Sequence, residues 1–293
     1  MLFNIFRRST YDTIKRMFTE PLIINVCLTG NVPLKKDNPH VPLSPSEIIK
    51  DAAAVLKLGA TVLHIHARDM DGKPAYDKKI FAEIITGIRK INSQAVICIT
   101  TSGRIFRNPA DRGQVLDLTG PEKPDFASLT LGSFNFPKEA CLNSPETILY
   151  LAQKMKKKNI NPEWEIFEPG MINYGQYLIK KGLLDNPKWI NIFMGSLGTS
   201  PFNHQTADLF LSLIRPGWRF AITGVGKYQF PANLYSMTAG GHVRVGLEDS
   251  FFMDQGKKDP ATNSKLVERI LAVAKSMGRP VADMETTRKI LGL

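Results

Sequence analysis

Cysteine is scarce. The chain of 293 residues has three, Cys27, Cys98 and Cys141, too few and too scattered for a disulfide framework or a Cys-x-x-Cys metal site, so a reducing compartment is expected. No run approaches the roughly 18 apolar residues that a membrane-spanning helix needs, and the N-terminal region has no compact apolar stretch followed by a small-residue cleavage site. A soluble, cytoplasmic protein without stable membrane insertion is expected. Acidic residues are outnumbered, 27 against 38 basic, for a net charge of +11. Such an excess points to an acidic partner: nucleic acid, a membrane surface or a phosphorylated small molecule. The lysines are dispersed, however, from Lys35 and Lys36 through Lys156, Lys157 and Lys158 to Lys257 and Lys258. They lack the interleaved aromatic platforms and zinc-finger spacings of a nucleic-acid module, so no nucleic acid is expected. Low-complexity segments and domain linkers are missing as well.

What is present is regular. With 43% hydrophobic residues the chain can bury one large core. Residues 1–20 mix Leu2, Phe3, Ile5, Phe6, Ile14, Met17 and Phe18 with Arg7, Arg8, Lys15 and Arg16, and read as a short N-terminal extension that is basic and amphipathic. From Pro21 a βα alternation begins and never breaks. Strand patterns fall at 22–28, 61–66, 95–100, 125–130, 163–167, 189–194, 218–223 and 241–246. Between the first two, Ser44-Pro45-Ser46-Glu47 reads as a helix start, with Ser44 as cap and Glu47 three positions on, and Gly59 as the stop. A helix from about Asp77 to Lys90 carries Ile80, Ile84, Ile85 and Ile88 on one face. Eight such units in under 300 residues predict a single (β/α)8 TIM barrel over residues 21–293, with a doubly wound sheet as the alternative.

Within the second strand, His64 and His66 lie two residues apart in an apolar, β-branched run, so both imidazoles point to one face. Together they can chelate one cation, or one can be a satisfied core residue and the other its neighbour. In a barrel every strand's C-terminal end faces one site. The residues gathered there include His64, His66, Arg68, Thr100, Thr101, Ser102, Ser128, Asn135, Glu168, Arg244, Glu248 and Asp249.

Several motifs stand in order along this frame: His64-Ile-His66 with Asp71-Gly72, Thr100-Thr-Ser-Gly103, Ala127-Ser128-Leu, Glu168-Pro-Gly-Met171, Gly224-Val-Gly226 and Gly240-Gly-His-Val-Arg-Val-Gly-Leu-Glu-Asp249. With them the sequence resembles the β-keto acid cleavage enzyme family from about Pro21 to its end. The resemblance implies a (β/α)8 barrel with a catalytic zinc, assembled into a homotetramer. It also implies a Claisen-type exchange between a β-keto acid and acetyl-CoA, giving acetoacetate and a new acyl-CoA. By the same resemblance His64, His66 and Glu248 are the metal ligands, Asp249 is the general base and Arg244 orients it. Thr100, Thr101, Ser102, Ser128 and Asn135 fall near the substrate.

One position departs. Where one member of the family carries a carboxylate that receives its substrate's amino group, this chain has Val32, in Thr29-Gly-Asn-Val32-Pro. A valine cannot pair with an ammonium, so a neutral or apolar β-keto acid is expected. Two other enzyme classes share features with the pattern. An amidohydrolase-type hydrolase also begins with His-x-His but needs later histidines, and this chain has five in all, none on the fifth strand. A metal-dependent aldolase shares the enolate chemistry and dispenses with CoA.

Overall fold

A computed structural model describes residues 19–293; of the expected N-terminal extension, residues 1–18 lie outside the described residues. Eight parallel strands make one sheet: β1 (Ile24–Cys27), β2 (Val62–Ile65), β3 (Val96–Ile99), β4 (Phe126–Thr130), β5 (Asn161–Ile166), β6 (Trp189–Met194), β7 (Phe220–Gly224) and β8 (Val243–Val245). Each neighbours the next in sequence, and β8 returns to β1 with Asn25 opposite Arg244. A bridge between Ala221 and His242, with His242 N–H donating to Phe220 O at 2.8 Å, joins β7 to β8 and closes the ring. The barrel expected from the alternation is the fold observed, with the eight strands where the sequence places them.

The helices that wrap it follow local rules. Helix α1 (Pro45–Leu58) begins at a capping box in which the Ser44 hydroxyl accepts from Glu47 N–H and the Glu47 carboxylate accepts from Ser44 N–H. It ends at Gly59, whose φ of 110° is closed to most side chains. Ser44→Ala is expected to lower stability by about 1 kcal/mol in urea unfolding; an unchanged midpoint would show that packing alone sets this start. Helix α2 (Lys78–Ile91) is capped by Asp77 and buries Phe81, Ile84, Ile85 and Ile88. Ile80, expected on that face, is only half-buried, and Phe81 takes its place. After β3 comes the short α3 (Pro109–Gly113); α4 (Pro145–Lys158), α5 (Pro169–Lys180), α6 (His204–Leu213), α7 (Gln229–Thr238) and α8 (Asn263–Ser276) follow the later strands, and α9 (Met284–Leu291) closes the chain. None of the described helices is long and apolar enough to cross a membrane.

Alternation along the strands sorts side chains into two cores. Outward residues such as Val26, Leu63, Ile97, Leu129, Trp164, Ile192 and Val245 pack under the helices. Inward residues form layers. At the base Ile23, Val62, Val96, Phe126, Trp189 and Ala221 make a small apolar plug, sealed from below by Ala282 and Leu291. Two residues further along the same strands stand Asn25, His64, Cys98, Ser128, Asn191 and Thr223, joined by Arg244 from β8, all buried. The interior therefore changes from apolar to polar toward the C-terminal ends of the strands.

Two small antiparallel hairpins rise at that end, pairing Ala67–Arg68 with Pro74–Ala75 and Phe134–Asn135 with Ala140–Cys141. Both interrupt stretches that the sequence marks only as loops.

Candidate active site

Polar groups from four strands meet above the apolar plug. His64 on β2 is fully buried, and its Nδ1 lies 2.9 Å from Glu163 Oε1 on β5. Asn25 on β1 donates to the other Glu163 oxygen at 3.3 Å. His66 turns its Nδ1 to Asn31 Oδ1 at 3.0 Å, in the loop after β1. With each Nδ1 engaged as the N–H donor, both Nε2 atoms are left as acceptors.

Those two Nε2 atoms are 3.3 Å apart. Glu248 Oε1 is 3.2 Å from the His66 Nε2, and Glu248 Oε2 is 4.0 Å from that of His64. No donor serves Glu248 Oε2. With both imidazoles neutral, three acceptors converge, and a positive charge among them, from a proton on an imidazole or from a bound cation, relieves the arrangement. Two imidazoles and a carboxylate match the donor set of a three-ligand catalytic zinc. The residues present fit a metal, and Glu163 and Asn31 fix the tautomers that such a role requires.

Arg244 on β8 organises the other half. Its Nη2 lies 3.0 Å from Glu248 Oε1 and its Nε 3.0 Å from Asp249 Oδ2, while its guanidinium rests 4.8 Å from the Phe193 ring centroid. Burial works against its charge, but Asp249, Glu248 and Glu163 around it more than offset that, so it stays protonated well beyond the usual range. Burial would lift the Glu248 carboxyl, yet His66, Arg244 and His64 hold it well below its ordinary value. Asp249 differs: burial raises it, Arg244 opposes, and the neighbouring Glu248 adds to the rise, leaving it a stronger base than a free aspartate. The Cys27 thiol, held protonated by burial, donates to Asp249 Oδ2 at 2.9 Å. Two carboxylates one residue apart thus have opposite tendencies, one for holding a cation and one for taking a proton.

A cavity of about 510 Å3 opens above this cluster. Of the residues that the sequence singled out, His66, Thr100, Ser102, Val32, Glu248 and Asp249 line it, and His64 and Arg244 stand directly behind them. Thr101 and Ser128 lie behind the wall and bond to each other, Thr101 N–H donating to Ser128 Oγ at 3.0 Å. Asn135 is exposed on the second hairpin. His242, two residues before Arg244, sits at the barrel base, where its Nδ1 accepts from Ile23 N–H.

Sequence reasoning missed Glu163 and Glu165. The signal was available: two carboxylates flanking Trp164 at strand period point into the barrel while the tryptophan points out. Glu165 accepts from the Thr130 hydroxyl at 2.6 Å and lines the cavity. Cys27, at the end of β1, and Asn31, in the loop that follows, carried no sequence signal beyond their places.

The fold and this cluster define a (β/α)8-barrel enzyme with a carboxylate- and imidazole-lined cavity at the C-terminal ends of its strands. The model of the beta-keto acid cleavage enzyme family matches residues 21–293. The chain belongs to that family. It is 34% identical over 278 residues to the 3-oxoadipate:acetyl-CoA acetyltransferase of Cupriavidus necator, covering 94% of this chain and 96% of that one. It is also 34% identical over 276 residues to the 3-keto-5-aminohexanoate cleavage enzyme of Acetoanaerobium sticklandii, covering 94% and 99%. Among solved structures, apo ObcA shares the fold with a TM-score of 0.74 at 17% identity, over 87% of this chain and 66% of that one.

Proposed function

We propose that this enzyme exchanges acyl groups between a neutral or apolar β-keto acid and acetyl-CoA, releasing acetoacetate and the acyl-CoA of the original chain. The observation that carries the reading is the convergence of His64, His66 and Glu248 beside a raised aspartate, Asp249, on the wall of one cavity. His64, His66 and Glu248 would hold a divalent metal, zinc by its N2O donor set. When bound, it supplies Lewis-acid stabilisation of negative charge on the substrate's keto oxygen.

The chain's own residues do the rest. Asp249 takes the proton from the carbon between keto group and carboxylate, and Arg244 keeps its carboxylate aimed. Thr100 and Ser102 offer hydroxyls on the facing wall. The resulting carbon nucleophile attacks the acetyl thioester and expels the CoA thiolate. That thiolate adds to the substrate's original keto carbon, carbon–carbon cleavage releases the new acyl-CoA, and the departing acetoacetate carbon takes back the proton from Asp249. The family resemblance supports a cytoplasmic homotetramer as the working form, which light scattering tests.

Substrate choice turns on Val32, which lines the cavity from the loop after β1. An ammonium at the substrate's distal end would find no carboxylate there. Val32 is 44% exposed, so a charge pair at this position is worth less than in a sealed site, about 1.4 kcal/mol rather than several. Neutral β-keto acids are expected to exceed matched aminated ones in kcat/KM by about tenfold. Val32→Glu should narrow or reverse that ratio. If the wild type prefers the amine, another acidic group receives it and the argument from Val32 fails. Acetoacetate release from a panel of β-keto acids with acetyl-CoA tests the function itself.

A further inference from the structure

Four phenylalanines from three adjacent strand ends form one continuous wall of the cavity. Phe193, on β6, stacks on Phe167, just after β5, with centroids 4.6 Å apart and planes 6° from parallel. Phe167 stacks in turn on Phe134, 3.8 Å away at 17°. Phe134 meets Phe136 edge to face at 4.8 Å. A guanidinium covers each end, Arg244 at Phe193 and Arg104 at Phe136, the latter 3.9 Å from the ring centroid. The wall therefore begins at the group that holds Asp249 and leads away from it. Phe134, Phe167 and Phe193 are each at most 8% exposed, so their ring positions are set by the core.

Resting on the function proposed above, we infer that this wall is the subsite for the distal end of the β-keto acid, and that the substrate class carries an aromatic ring there. With both ends covered, the wall presents to the cavity the sides of its four rings, and an added ring lying against them gains contact area and the favourable edge-to-face geometry of aromatic pairs. From the opposite side of the ring of strands, Val32, Pro33, Phe251 and Phe252 complete an apolar slot.

Charge on this side of the cavity is already satisfied. Arg104, the cation at the far end, is ion-paired with Glu139. Glu165 accepts from Thr130, and burial favours its neutral form. At the wall itself a distal carboxylate would compete with Glu139 for Arg104, whereas a ring displaces nothing; Lys227, Asp254 and Lys257, which also line the cavity, stand on the segments after β7 and β8.

The test compares three β-keto acids with acetyl-CoA: 5-phenyl-3-oxopentanoate, 3-oxohexanoate and 3-oxoadipate. The wild type should favour the phenyl compound over 3-oxohexanoate in kcat/KM by at least about tenfold, and over 3-oxoadipate by more. Phe136 lies on the hairpin and is only partly buried, which makes it the ring to change. Phe136→Ala should cut the phenyl-over-alkyl preference at least fivefold, and Phe136→Leu, which keeps apolar bulk without the ring, should cut it about as far. Preference for 3-oxoadipate, or equal loss on both neutral substrates in both variants, would overturn the inference. Turnover of 3-oxohexanoate but not of the phenyl compound would overturn it while leaving the acyl exchange standing. Absence of acetoacetate from every β-keto acid would strike the proposed function instead.

Discussion

His66→Ala is expected to lose bound metal and acetoacetate formation together, with activity down by at least about a thousandfold. The side chain supplies one of the three acceptors that converge at the cavity floor, and its other nitrogen is engaged only by Asn31. Removing it leaves no buried ion without a partner. His64→Ala is the poorer probe. Its Nδ1 answers Glu163, a carboxylate 1% exposed, and losing that partner leaves a buried charge with only Asn25 at 3.3 Å and Arg244 at 3.9 Å, which lowers stability. Loss of activity in that variant would confound metal loss with unfolding. In His66→Ala, metal content after dialysis and a thermal melt separate the two. Retention of one metal per chain by a folded His66→Ala protein would remove His66 from the ligand set.

Asp249→Asn is expected to keep the metal and lose turnover, with kcat lower by about a thousandfold and substrate KM changed far less. The amide preserves shape and can still accept from Arg244 Nε, which lies 3.0 Å from Oδ2 in the wild type. It cannot take a proton from carbon. The proposed ligand Glu248 keeps its place because its own partners, His66 and Arg244, are untouched. An Asp249→Asn enzyme within tenfold of wild-type kcat would place the base elsewhere, and Glu165, buried on the facing strand with a raised carboxyl, would be the next group to examine.

Much of this was legible in the sequence because two periodicities carry it. The strands are buried on both faces and read as apolar runs, and the few polar residues within them stand out as inward-facing groups. His64 and His66 were found that way, and Glu163 and Glu165 obey the same rule. They were missed because a search for histidine passed over carboxylates that support it. Arg244, Glu248 and Asp249 were recognisable through their motif, and the resemblance implied a role for each; the distances between β8, β1 and β2 that bring them beside His64 and His66 are encoded by no local pattern. Thr101 and Ser128 show the converse. Both sit at strand ends, yet each hydroxyl is engaged by the other residue's backbone, Ser128 Oγ accepting from Thr101 N–H and Thr101 Oγ1 donating to Ser128 O, and neither lines the cavity. The aromatic wall could not be read at all: Phe134 and Phe136 share one hairpin, but Phe167 and Phe193 come from two further strand ends, and only closure of the barrel stacks them.

Isotopic labelling of the acetyl group of acetyl-CoA tests the central claim most directly. With a neutral β-keto acid and the metal-loaded enzyme, the acetyl carbons should appear as the acetyl end of acetoacetate, with one unlabelled acyl-CoA formed for each acetoacetate. Removing the metal with a chelator should stop both products, and returning it should restore both. Unlabelled acetoacetate, cleavage of the β-keto acid without acyl-CoA, or full turnover in the metal-free enzyme would contradict the exchange mechanism.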